Sequence, residues 1–140
     1  MLFRSKTIFT TFRIYALVIP RGWILASSDR VATITGLMTS LSVKLQARID
    51  ADKAAGKDVA ALVAAMADLA KQITNANAEA SAARSGTAGL VPDQGNTTIA
   101  ASNHAALVAA RANIKSATAG IKAARQDIKT IQAGLKTLGS

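Results

Sequence analysis

From Asp29 onward the apolar residues recur at the three- and four-residue steps of a helix. Val31, Ile34, Met38, Leu41 and Leu45 form one stripe, and Ile49 continues it with a shift of one. This spacing predicts a first helix over about 29 to 55, capped at its start by Ser28 or Asp29 and stopped by Gly56. Gly36 lies within it and costs about 1 kcal/mol relative to alanine, which weakens its first third. A second helix over about 58 to 84 follows from Val59, Leu62, Met66, Leu69, Ile73, Ala76, Ala80 and Ala83, with Asp58 as its N-cap. With only Gly56 and Lys57 between them, the two helices fold back as an antiparallel hairpin. The far end of the second helix offers only alanine to its neighbours and is expected to be the weaker end.

The third element has the strongest pattern. Leu107, Ala110, Ile114, Ala117, Ile121, Ala124, Ile128, Ile131, Leu135 and Leu138 alternate steps of three and four without a break. Over more than about four heptads this is the signature of a coiled-coil seam, and it predicts a helix over about 99 to 138. Gly120 and Gly134 are placed outside that seam by the same register. Between the second and third helices, over about 85 to 98, glycines, Pro92 and Asp93 mark a loop. Asn96-Thr97-Thr98 in it matches a glycosylation acceptor and reads as a chance match in so polar a segment. Three such stripes close on one another, so the fold class is all-α: an elongated antiparallel three-helix bundle or coiled coil over 29–140, preceded by a poorly defined segment over 1–28.

That first segment reads in two ways. Basic residues, the apolar run Ile14 to Ile19 and the small residues Ala26-Ser27-Ser28 resemble a degenerate signal peptide, although Pro20-Arg21 interrupts it and also argues against a membrane span. Alternatively, Met1-Leu2-Phe3-Arg4-Ser5 is what the end of a common sequencing adapter encodes, which marks the segment as a candidate artefact on a metagenomic fragment.

Composition narrows the function. Among 140 residues, 31 are alanine and only 4% are aromatic, so the chain can build a seam but not a thick core. Without cysteine, disulfide frameworks, thiol chemistry and cysteine-built zinc sites are excluded. The net charge of +9 sits at the two ends: Arg4, Lys6, Arg13 and Arg21 face no acid in the first 28 residues, and after residue 85 six bases face only Asp93 and Asp127.

Candidate chemistry is sparse. His104 has no carboxylate, serine or cysteine motif near it in sequence and reads as a surface histidine near a helix start. Asp50 and Asp52, two apart, point in different directions on a helix. Neither a phosphate loop, a metal-ligand cluster nor a dinucleotide fingerprint occurs, so no catalytic residue, metal or cofactor is assigned. The one patterned polar feature is Lys115, Lys122, Lys129 and Lys136, seven apart, with Arg111 and Arg125 one flank over. The lysines stand about 10 Å apart along the axis, and with the two arginines these six form a candidate polyanion-binding stripe. As a solvated coiled-coil flank, their stems would instead cover the seam. No aromatics interleave them for base stacking, so sequence-specific nucleic-acid reading is not expected.

Leu45-Gln46-Ala47-Arg48-Ile49-Asp50, followed by Lys53-Ala54-Ala55-Gly56-Lys57-Asp58-Val59, resembles segments of exported alanine-rich helical-hairpin proteins of candidate-phyla bacteria of the Parcubacteria type. The resemblance runs over about four-fifths of the chain, from residue 29 to 140, and implies an exported helical protein that normally begins with a signal peptide. The residues and the resemblance together lead to one expectation: a non-enzymatic structural or interaction protein, exported and associated with the cell envelope. Its expected partner is a protein or a second copy met through the helices, not a small-molecule substrate. The competing expectation is a basic accessory protein that binds DNA or an anionic surface non-specifically through the third helix.

Overall fold

The computed structural model describes residues 2–139, with side chains from Lys6 to Gly139. The chain is all-α: helices α1 (Leu2–Ala54), α2 (Ala60–Ala88) and α3 (Thr97–Thr137) pack on one another, with no strand among the described residues. Each helix reverses the direction of the one before it, so α1 and α3 run parallel with α2 antiparallel to both. At about 1.5 Å per residue α1 is roughly 80 Å long, and it gives the bundle its rod shape.

The stripes read from sequence form the core. Leu62, Leu69, Ile73, Ala76, Ala80 and Ala83 of α2 are buried, as are Leu107, Ala110, Ile114, Ala117, Ile121, Ala124, Ile128, Ile131 and Leu135 of α3. Val31, Met38, Leu45 and Ile49 complete it from α1, with Ile34 and Leu41 only partly buried at the edge. Between them, Thr35 takes a buried position because its hydroxyl sits 3.0 Å from the Val31 carbonyl and 2.7 Å from Asn77 Oδ1 on α2. The hydroxyl's one proton, shared between these acceptors, offsets the cost of burying it.

The start of α1 differs from the expected start near Asp29. The helix runs from Leu2 through Pro20 without a break, and Ser28 and Asp29 cap nothing. Ser28 is buried and donates to the Ala80 carbonyl at 3.1 Å, while Asp29 pairs with Arg84. Pro20 forfeits one backbone hydrogen bond, but the helix is held on both sides of it by tertiary contacts. Leu17 and Ile24 are buried; Ile24 sits in a second apolar cluster with Ala83, Ala110 and Ile114. That cluster supplies the area which the alanine-only end of α2 lacks. Correspondingly, α2 runs on to Ala88 rather than ending near 84, with Thr87 buried. Met1, and the side chains of the four residues after it, on which the adapter reading rests, lie outside the described residues.

The turns follow local chemistry. Gly56 at φ +78° ends α1, with its N–H on the Lys53 carbonyl and the Lys57 N–H on that of Asp52. Asp58 accepts from the Ala60 N–H at 3.1 Å, although the buried Val59 holds the cap position. The Asn96 side chain caps α3, accepting from the N–H groups of Thr98 and Ile99, so the oxygen of the apparent glycosylation site serves the helix start.

Gly134 is not outside the packing. A Cβ there would run into Leu62 Cδ2, and one at Gly120 would lie 3.4 Å from both the Ala76 Cβ and the Gln72 carbonyl. At Gly134 the missing methyl lets α3 approach α2 closely, whereas at Gly120 there is room for one near contact distance.

Candidate interaction surface

One end of the bundle is tied together by the arginines of the first segment. Arg13 Nη1 reaches both carboxylate oxygens of Asp93 at 3.1 Å, and its guanidinium stands 4.8 Å from the centre of the Phe9 ring. Arg21 donates to the carbonyls of Ala88 at 2.7 Å and Leu90 at 3.3 Å. Asn103 on α3 donates to the Val91 carbonyl at 2.8 Å. The loop between α2 and α3 is therefore clasped from α1 and α3 together. The Gly95 N–H, with Arg13 beside it, holds the Asp93 carboxyl below its ordinary range.

His104 lines a groove of about 190 Å³ at this end, with Arg13, Asp93, Asn103 and Leu107. The fold thus brings a carboxylate near the histidine, which sequence proximity did not. That carboxylate is already engaged by Arg13 and Gly95, and His104 itself is exposed.

At the opposite end Lys57 donates to Asp52 Oδ1 at 2.7 Å and to the Leu138 carbonyl at 2.9 Å, joining the hairpin to the end of α3. Asp50 accepts from Gln46, so the two aspartates do diverge. A carboxylate pair absent from any local pattern forms instead between helices. Asp127 on α3 meets Asp68 on α2, and burial with this like charge pushes the Asp127 carboxyl above its ordinary range.

The largest departure from an ordinary soluble surface lies on α1. Ile8, Phe12, Tyr15, Ile19 and Trp23, each more than half exposed, follow helical steps of four, three, four and four. They form a stripe on the side of α1 opposite Leu17 and Ile24, with Phe9 and Val18 at its margins. This half of α1 is thus apolar on two faces, one in the bundle and one outside. All five aromatic residues of the chain fall between residues 3 and 23. Further along α1 the same outer side carries Arg30, Leu37, Lys44 and Arg48, and exposed Leu37, Val43, Val63 and Val108 are scattered. By length and composition α1 contains a stretch apolar enough to cross a membrane, near the N-terminus and little buried in the bundle.

The basic flank of α3 borders this side. Lys122 and Arg125 line a groove of about 520 Å³ with Trp23, Arg30, Val31, Ile34, Ile114 and Ile121. Arg111 and Lys115 lie on the same flank by helical spacing, and Lys129 and Lys136 continue it toward the far end. Among the described residues none of these six α3 cations, nor Arg30, has an ion-pair partner. No family model, curated protein or solved structure matches the chain.

Proposed function

We propose that this chain is a non-enzymatic structural and interaction rod of the cell envelope, which docks through the end where α1 begins. The observation that carries this reading is the outer stripe of Ile8, Phe12, Tyr15, Ile19 and Trp23. A contiguous row of large apolar side chains marks a surface that is covered in use, and fully burying each is worth about 1.5–3 kcal/mol. The interior supports the same reading, because its polar groups serve as ties: Ser28 to Ala80, Thr35 to Asn77, Asp52 to Lys57 and Asn103 to Val91.

The test is fractionation of bacteria expressing the full chain. Wild type is expected in the envelope fraction, and a Phe12→Ser/Ile19→Ser variant in the soluble fraction with its helicity intact. A wild type that is wholly soluble and monomeric would remove the reading.

A further inference from the structure

We infer that the outer face of α1 from Ile8 to Trp23 lies along an anionic lipid surface, with the neighbouring flank of α3 held against the headgroups. The inference rests on the docking reading above and names its partner.

Three observations favour lipid. The stripe is long and narrow: the fifteen helical steps from Ile8 to Trp23 extend about 22 Å, and its side chains project from a helix whose other face is fixed in the bundle by Leu17 and Ile24. Such a helix rests in the interface with its apolar side in the acyl boundary. It does not cross, because crossing would carry the Arg13 and Asp93 pair and the clasped loop into hydrocarbon. Second, phenylalanine, tyrosine and tryptophan are gathered on this segment alone, and the latter two favour the headgroup boundary. Third, the charges left unpaired beside the stripe have one sign, because Asp93 is taken by Arg13 and Asp29 by Arg84. Residues 1–28 hold no acid, and Arg30, Lys122 and Arg125 meet Trp23 at the groove without ion-pair partners among the described residues.

The same charges weigh against a second copy as the cover. Pairing two outer faces would bring basic margins against each other, whereas anionic headgroups neutralise them.

Trp23 is the only tryptophan, so its emission reports the stripe directly. The full chain is titrated with vesicles of phosphatidylcholine alone and of phosphatidylcholine with one quarter phosphatidylglycerol, following Trp23 emission and cosedimentation. Expected are a blue shift and binding about tenfold or more tighter to the anionic vesicles. Phe12→Ser/Ile19→Ser should weaken that binding about a hundredfold with far-UV circular dichroism unchanged. Lys122→Glu/Arg125→Glu should remove most of the anionic preference. Vesicle binding that Phe12→Ser/Ile19→Ser leaves intact would overturn the inference. So would an unshifted Trp23 with a dimer that the same variant dissociates; the docking reading would then stand with a second copy as partner. A monomer that ignores both vesicles would end both.

Discussion

Replacing Gly134 with alanine sets two effects of known sign against each other. In a helix interior alanine is favoured over glycine by about 1 kcal/mol, so a freely exposed site would gain stability. At Gly134 the added methyl occupies the place of Leu62 Cδ2, and Leu62 is itself buried. Moving that leucine off its rotamer, or separating α2 from α3, costs about 1–3 kcal/mol. Gly134→Ala should therefore lose about 1 kcal/mol net. Gly120, in the same helix and also against α2, is the control. A methyl there meets Ala76 and Gln72 at 3.4 Å, close to ordinary contact, so most of the helix gain survives. The two variants should differ by about 2 kcal/mol, or roughly 8 °C in Tm for a chain of this size. Adding Leu62→Ala makes the cause specific. That change alone costs about 2–5 kcal/mol, and the alanine methyl at 134 then fills part of the vacated space. The double variant should accordingly be at least about 1 kcal/mol more stable than additivity allows. Urea unfolding of the four variants measures all of this. If Gly134→Ala stabilises as much as Gly120→Ala, or if Leu62→Ala and Gly134→Ala add, the close approach of α3 to α2 at this level is wrong.

Two further outcomes follow from charged groups. Lys57→Met leaves the buried Asp52 carboxylate and the Leu138 carbonyl without that ammonium; a loss of about 1–2 kcal/mol in urea unfolding is expected, and no loss would mean that Lys57 does not join the hairpin to α3. For Asp127, a folded-state value raised above the unfolded one means that stability falls as pH rises from the ordinary carboxylate range through the raised value. Asp127→Asn should raise Tm at neutral pH, with the gain vanishing below the ordinary carboxylate range; a lower Tm at neutral pH would contradict the like-charge pairing with Asp68.

The sequence carried the periodic parts of this fold well. Every position of the α3 seam from Leu107 to Leu135 is buried, and so is the α2 stripe except Met66, which packs partly buried against the core. Local pattern failed where distant partners decide. Pro20 and Arg21 look like interruptions along the chain and Arg13 like an unopposed charge, but Asp93 and the carbonyls of Ala88 and Leu90, 67 to 80 residues further on, satisfy the arginines. Thr35 and Ser28 read as polar, yet they are buried because Asn77 and Ala80 of α2 receive them. Gly134 and the Asp68 with Asp127 pair depend on the register between α2 and α3, which no single stripe specifies. The outer row on α1 was legible in principle from the steps between Ile8 and Trp23. It was masked because a helix apolar on two sides has almost no net amphipathicity.

The first half of α1 is divided between two faces, one buried in the bundle at Leu17 and Ile24 and one an exposed apolar stripe. Urea unfolding of Ile24→Ala beside Ile19→Ala, without lipid, tests that division most directly. Ile24 is 0% exposed against Ala83, Ala110 and Ile114, whereas Ile19 is two-thirds exposed on the outer stripe. That division leads to a loss of about 3 kcal/mol for Ile24→Ala and a change within about 0.5 kcal/mol for Ile19→Ala. Equal losses, or a larger one at Ile19, would contradict it.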